Sequence, residues 1–254
     1  MNLQFIGTAS AIAESGRFHS SFILNENGKI ALFDCGDGIS SALAKFKVSA
    51  LNINSIIISH FHADHIAGLP LLITQMKILE RKDKLKIFVH SSQVETLKVM
   101  LEIFYHFTDK LKFQLNIIPY YFDEEFSPFG EIKILPRQNK HVSGKYTHGN
   151  NGIISFVSAS FLISDKRTSI YFTADISEPD ELNIFEDKAP SILVTEASHI
   201  SIEQICRDNY YEMYNQVFIT HYSSGLKEAI INKIKKAQVG NKIILAVDGM
   251  EVTV

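Results

Sequence analysis

Between positions 60 and 65 the chain reads His60-Phe61-His62-Ala63-Asp64-His65, three histidines and one carboxylate in six residues. Neutral imidazole and carboxylate are donor types that zinc, manganese and iron accept. In extended backbone, side chains two residues apart point to the same side, so His60 and His62 are placed to share one ion. Asp64 and His65 fall at the following turn and are placed to reach a second. A lone histidine is more often structural. Four ligand-type residues at this spacing, directly after a buried strand, point to a metal site.

That strand is the β-branched run Ile56-Ile57-Ile58. The same arrangement recurs along the chain. Predicted strands at 29–33, 169–173, 192–195 and 217–220 run into Asp34, Asp175, Glu196 with His199, and His221. A strand at 131–135 precedes the polar stretch 137–151, which carries His141 and His148. Strand ends on one edge of a sheet converge on one cleft. Residues 8–16, small and polar after a first strand at 3–6, suit its rim. The loop Asp34-Cys35-Gly36-Asp37-Gly38 suits a tight turn beside the metals. Asn27-Gly28 joins strands at 21–24 and 29–33 in a hairpin.

Helices are expected at 40–46, at 66–79 with Pro70 in the early part, and at 225–237. The N-terminus of the 66–79 helix would face the metals and favour an anion there. Ser92-Gln93-Val94-Glu95 and Ser201-Ile202-Glu203-Gln204 read as capping boxes, the first opening a helix to about His106. Further strands are expected at 85–89, 113–118 and 153–163, and a last one at 242–247. Strands interleaved with amphipathic helices suggest two sheets with helices outside.

The 254 residues, 46% apolar and 21% charged, fit a single soluble domain spanning 1–254. A net charge of −3 leaves no basic footprint for long nucleic acid. Ten histidines support metal chemistry. Two cysteines, Cys35 and Cys206, form no framework and suggest a reducing compartment. The N-terminus lacks a basic leader, and no apolar run approaches the ~20 residues of a membrane span. A cytoplasmic protein that does not engage membranes is expected.

These residues resemble the metallo-β-lactamase superfamily, whose HxHxDH signature matches His60 to His65. Phe5-Ile6-Gly7-Thr8, Phe33-Asp34-Cys35-Gly36-Asp37-Gly38 and the run from Ser59 to Gly68-Leu69-Pro70 are similar to its phosphodiesterase branch. That branch includes RNase Z and the anti-Pycsar enzymes that hydrolyse cyclic nucleotides. The resemblance spans nearly the whole chain and implies an α/β fold, the αββα sandwich. It implies two divalent ions, zinc first and manganese as the alternative. By resemblance, His60, His62 and His141 hold one ion, with His148 open as a replacement for His141. Asp64, His65 and His221 hold the other, Asp175 bridges them, and Asp34 supports the site. Glu196-Ala197-Ser198 resembles the Glu-Ala-Thr segment of RNase Z, and Thr220-His221-Tyr222-Ser223 its final histidine motif.

The chain departs from RNase Z twice. Only 33 residues lie between His141 and Asp175, too few for the long arm that grips tRNA. The His-Ser-Thr loop is absent, and His199 is the nearest substitute for its histidine. A small 3′,5′-cyclic nucleotide is therefore the expected substrate, hydrolysed through a metal-bridging hydroxide, with an RNase Z-like endoribonuclease as the alternative. Two divalent ions, less Asp64, Asp175 and that hydroxide, leave roughly +1 for an anionic phosphodiester. Asp64, Glu196 and His199 are the expected catalytic residues, with Glu196 and His199 as a proton relay. Tyr146, His148 and Ser223 are the expected substrate contacts. By resemblance the protein pairs as a homodimer and works in a bacterium or, if phage-encoded, in its host.

Overall fold

The β-branched and aromatic runs become strands sorted into two sheets. The structure, a computed structural model, describes residues 1–143, 154–207, 210–237, 239 and 242–254. The first part of the chain forms β1 (Asn2–Gly7), β2 (Ser21–Glu26), β3 (Lys29–Phe33), α1 (Ile39–Lys45), β4 (Ile53–Ile57), α2 (Ala63–Ile66), α3 (Leu69–Ile78), β5 (Leu85–His90), α4 (Val94–Ile103) and β6 (Leu115–Tyr120). The second part forms β7 (Lys133–Gln138), β8 (Ala159–Ser164), β9 (Ser169–Phe172), β10 (Ile192–Glu196), α5 (Ile202–Arg207), β11 (Gln216–Thr220), α6 (Ser224–Lys236) and β12 (Ile243–Leu245). Finally, β13 (Glu251–Thr253) returns to the first sheet.

The sheet orders are β13-β1-β2-β3-β4-β5-β6 and β12-β11-β10-β9-β8-β7. Each sheet has an antiparallel half and a parallel half: β3 to β6 are parallel, as are β9 to β12. β7 and β9 both run antiparallel to β8 and so run the same way. The C-terminal ends of β7, β9, β10 and β11 therefore lie on one edge of the second sheet, and those of β3 and β4 on one edge of the first.

Side-chain alternation assigns each strand face to a layer. Between the sheets, Phe5, Phe22, Phe33 and Ile57 meet Phe161, Ile163, Phe172 and Phe218. Phe22 stacks on Phe33 at 4.6 Å and meets Phe172 edge-on at 4.8 Å, stitching the sheets together. The opposite face of the first sheet packs Leu32, Ile56 and Ile87 against Leu43, Leu72 and Leu97 of its helices. The second sheet packs Leu193, Val217 and Ile219 against Leu182, Ile205 and Ile230. Helix, sheet, sheet, helix is the αββα sandwich. The central strands β4 and β10 are buried on nearly every residue, as parallel strands covered on both faces must be.

Four local expectations are corrected. The single helix at 66–79 is two: α2 is one turn, and α3 begins after Gly68 with Pro70 in its first turn. A Cβ on Gly68 would lie 2.2 Å from the Gly36 carbonyl oxygen, so the chain breaks where it presses on a neighbouring loop. The long helix whose dipole was to face the metals is thus only a turn there. Ser92 does not cap α4: its N–H donates to His90 Nδ1 and its hydroxyl to Ser155, and α4 ends at Ile103. The box at 201–204 does form, by Gln204 N–H to Ser201 Oγ and Ser201 N–H to Gln204 Oε1. The strand at 242–247 is not the last, because β13 follows and pairs with β1. Residues 154–158 precede β8 without regular structure.

Candidate metal centre

The histidine loop rests on Asp34. Asp34 ends β3 with φ 58°, a left-handed conformation costing an L-residue ~1–2 kcal/mol. That twist turns its carboxylate inward. Oδ1 accepts the Ser59 N–H at 2.8 Å, and Oδ2 accepts both the Ser59 hydroxyl and His65 Nδ1–H at 2.8 Å. A serine hydroxyl has one hydrogen. With it committed to Asp34, Ser59 Oγ accepts from His60 Nδ1–H at 3.0 Å. One buried carboxylate therefore fixes the tautomers of His60 and His65, leaving each Nε2 as a lone-pair donor. The two loops are also sewn together through backbone: Cys35 N–H donates to the His65 carbonyl at 2.7 Å, and Gly68 N–H to the Cys35 carbonyl at 2.9 Å. A Cβ on Gly36 would sit 2.1 Å from the Asp64 carbonyl oxygen, which explains the glycine.

Two donor groups meet above this floor. In the first, His60 Nε2 and His141 Nε2 each lie 3.0 Å from His62 Nδ1, and His141 Nε2 is 3.5 Å from Asp175 Oδ2. In the second, Asp175 Oδ1 is 3.3 Å from His65 Nε2 and 3.5 Å from His221 Nδ1. Asp64 Oδ2 lies 3.1 Å from His221 Nε2. Within each group the donor atoms lie within 4.8 Å of one another. Among the described residues, buried His65 Nε2, Asp175 Oδ1 and His221 Nδ1 have no hydrogen-bond partner. Three orphaned buried donors converging on one point, in a set of imidazoles and carboxylates, fit a divalent cation.

The electrostatics agree. Burial pushes Asp175 upward, but the histidines, His221 first, outweigh it and hold its pKa well below the carboxylate range. Burial likewise opposes ionisation of Asp64, yet its hydrogen bond to His221 and the charge of His65 hold it at about 2. Burial drives His60 well below its ordinary value, with His65 adding to the effect. At His65 burial is outweighed by Asp175 and Asp34, and the pKa rises well above normal. A proton and a metal ion thus compete for His65 Nε2.

The second sheet uses buried acids as clamps. Glu181 Oε1 accepts the Lys140 N–H at 2.6 Å, and Oε2 accepts the Ser177 N–H at 2.7 Å, tying the loop of His141 to that of Asp175. Glu196 Oε2 accepts the Ser198 and His199 N–H groups at 2.6 and 2.8 Å, and Oε1 accepts His199 Nδ1–H at 3.0 Å. Glu196, His199 and His221 also cluster within 4.8 Å, but both Glu196 oxygens are occupied by N–H donors. The cluster therefore orients His199, 4.6 Å from the His141 ring, rather than forming a third ion site. Ala174 and His221 adopt φ 50° and 45°, turning the ends of β9 and β11 into the cleft.

That cleft, about 550 Å³, is lined by His62, Asp64, His141, Asp175, His199 and His221, with Ser198 and Ser223 beside them. The structure thus brings together every expected metal-type residue within the described chain, together with Glu196 and His199, and puts Ser223 on the cleft wall. Tyr146 and His148 lie outside the described residues. The loop at 8–16 does form the rim, through Ser10, Ala11 and Ile12. Sequence reasoning did not single out Ile12, Leu226 or Glu181. An exposed isoleucine in a small-residue loop is the sole signal for the first. A glutamate inside the short 3-10 turn Pro179–Asn183 carries none.

Among solved structures, the fold is similar to the metallo-β-lactamase fold protein YhfI from Bacillus subtilis, with TM-score 0.77, 19% identity and 99% and 98% of the two chains covered. It is also similar to human tRNase Z, short form, with TM-score 0.73, 18% identity and 100% and 99% covered. In sequence, 150 residues are 32% identical to ribonuclease Z of Methanocaldococcus jannaschii, covering 58% of this chain and 46% of that relative. The match therefore spans less than half of the relative's length. The model of the family described as anti-Pycsar protein Apyc1 matches residues 1–242, and the chain belongs to that family of metallo-β-lactamase-fold hydrolases.

Proposed function

We propose that this chain is a phosphodiesterase that hydrolyses 3′,5′-cyclic mononucleotides with two divalent ions, zinc or manganese. The observation that carries this reading is the pair of donor groups sharing Asp175 at the floor of one open cleft. His60, His62 and His141 would hold one ion, and Asp64, His65 and His221 the other, with Asp175 between them. When bound, such ions supply Lewis acidity toward phosphoryl oxygens and lower the pKa of water. The rest is done by the chain itself. Asp34, directly and through Ser59, holds His60 and His65 in the donor tautomer. Glu196 accepts the hydrogen bond from His199 Nδ1–H and so aims the Nε2–H of the doubly protonated ring at the departing O3′. As water, its own proton released to solvent, adds to phosphorus and the P–O3′ bond breaks, the Nε2 proton neutralises the alkoxide. Ser223 is positioned to donate to a phosphoryl oxygen, whereas the Ser198 hydroxyl is committed to the His221 carbonyl at 2.7 Å.

The 33-residue interval between His141 and Asp175 supports a small substrate, since β8 and β9 occupy ten of those residues. The second reading is an RNase Z-like endoribonuclease, favoured by the likeness to ribonuclease Z. Incubation of purified protein with a panel of 3′,5′-cyclic nucleotides and with precursor tRNA, under zinc or manganese, separates the two. Cyclic nucleotide turnover abolished by Asp64→Ala is expected. No turnover of any cyclic nucleotide with either metal sinks the proposal, and tRNA cleavage alone selects the second reading.

We also propose that the chain acts as one domain, in the cytoplasm, as a homodimer. No helix among the described residues is long and apolar enough to cross a membrane. Among the described residues, exposed large hydrophobics gather on α3, α4 and the chain just after them, among them Leu71, Ile78, Ile103, Phe104 and Tyr105. A second copy would cover that face. Sedimentation of wild type against Ile103→Glu tests it; a wild-type monomer at micromolar concentration rejects it.

A further inference from the structure

The cleft is polar at its floor and apolar at one lip. Ala11, Ile12, Ala63 and Leu226 line it beside His62, Asp64 and His221. Ile12 is 66% exposed and Leu226 43%. They stand apart from the apolar face on α3 and α4, at the mouth of a site built of charged groups.

The lip is held in place. Glu14 Oε1 accepts the Ser224 N–H at 2.6 Å, at the start of α6. Arg17 Nη1 donates to Glu14 Oε2 at 2.6 Å and to the Tyr222 carbonyl at 2.8 Å. Arg17 Nη2 donates to the Thr8 carbonyl at 2.8 Å, and the guanidinium lies 4.2 Å over the Tyr222 ring. Asp248 accepts the Thr8 and Phe18 N–H groups at 2.8 Å, closing the base of the same loop. The segment carrying Ala11 and Ile12 is thereby fixed against the helix that carries Leu226. Apolar surface held open to water contributes nothing to the fold there, and a ligand that covers it gains the burial without first ordering a loop.

A cyclic nucleotide has two unlike ends, an anionic cyclic phosphate and a flat heterocycle. The donor groups suit the first. We propose, resting on the phosphodiesterase reading, that Ala11, Ile12 and Leu226 form the platform on which the nucleobase lies while the phosphate meets the floor. Glu14 and Arg17 are positioning residues that hold the platform's two halves together.

The test compares a 3′,5′-cyclic nucleotide with the base-free 1-deoxyribose 3′,5′-cyclic phosphate, by steady-state kinetics on wild type, Ile12→Ala, Leu226→Ala, the double variant and Ile12→Phe. Both positions are exposed, so the variants are expected to fold. The double variant is expected to raise KM for the nucleotide about 10-fold, with kcat changed by less than about 2-fold. KM for the base-free compound should rise at least about 5-fold less. Ile12→Phe, which enlarges the platform, should hold or lower the nucleotide KM. An equal rise on both compounds, or no rise on the nucleotide, overturns the platform and leaves the phosphodiesterase reading intact. Failure of wild type to hydrolyse either compound removes both.

Discussion

The two sheets supply the site in different ways. The first sheet delivers His60, His62, Asp64 and His65 from one loop after β4, braced by Asp34 from the neighbouring strand. The second delivers His141, Asp175, His199 and His221 from the ends of four separate strands. A contiguous loop is held by local means: one carboxylate, and glycines that let two backbones touch. A dispersed set needs each strand end turned individually. Hence the left-handed backbone at Ala174 and His221, which ordinarily costs ~1–3 kcal/mol per residue, and the buried acids Glu181 and Glu196 that brace the loops. The dispersed half carries more backbone strain and depends on longer-range contacts.

Asp175 is where the halves join, since it belongs to both donor groups. Asp175→Ala is expected to show the largest effect of any single change. Bound metal, read by elemental analysis, should fall from two ions per chain toward none, and cyclic nucleotide hydrolysis by ~10³-fold or more. His62→Ala touches one group and should leave about one ion bound. If Asp175→Ala keeps two ions while His62→Ala loses both, the halves are not joined through Asp175.

His199 tests the chemistry assigned to the second sheet. His199→Ala should lower kcat for a cyclic nucleotide by ~10²-fold, the range of a lost general acid. Hydrolysis of an aryl phosphodiester, whose phenolate leaves without a proton, should fall far less. Equal losses on the two substrates would make His199 structural.

The same contrast decides what the sequence could reveal. The first half of the site is legible because its four donors share six positions after a β-branched strand. Of the second half, the strand ends and their polar residues are legible as a recurring pattern, but not the way they turn. Nothing in Ala174 announces φ 50°, where glycine or asparagine would have. Glu181 is unreadable because its role exists only once β7 and β9 flank β8 in one sheet. In the fold, the apolar runs that become β4, β5, β10 and β11 are legible, whereas the run 153–163 becomes strand only from Ala159 and short or competing signals mislead. β13 has three residues and gains stability only by pairing with β1. Ser92 had the capping spacing but is engaged by His90 and Ser155 instead. The apolar spacing at 66–79 is helical on both sides of Gly68, and only the neighbouring carbonyl of Gly36 explains the break.

Asp34 and Glu181 are the braces to compare. Asp34→Ala removes the acceptor for Ser59 and His65 and frees the tautomer of a histidine in each donor group. Affinity for both ions should fall ~10–100-fold, the usual range for a partner that orients metal-bound histidine. Glu181→Gln puts an amide N–H opposite a backbone N–H on one arm, loosening the loop of His141 or that of Asp175. Its effect should be nearer ~10-fold and concentrated on the His60–His62–His141 ion. Competition with a chelator measures both, alongside urea denaturation of metal-free protein. A brace that only stabilises the fold would lower the urea midpoint and leave metal affinity unchanged.

The smallest effect is the pH dependence of the metal-free protein. Asp64 is held at about 2 in the folded chain, below its ordinary value near 3.8. Its contribution to stability is therefore complete above about pH 4 and lost as pH falls toward 2. His65 is shifted the other way: its contribution is complete below its ordinary value near 6.5 and is lost as pH rises through the elevated folded value. Urea midpoints of metal-free wild type and Asp64→Asn should differ at pH 5 and converge between pH 4 and 2. A difference that stays constant over that interval would mean that His221 does not hold Asp64 ionised, and that the link across the sheets forms only when metal is bound. Added zinc should then be compared at pH 5 and 7. The ion must displace a proton from His65 Nε2, so its apparent affinity should rise with pH, by up to ~10-fold per unit for a single displaced proton.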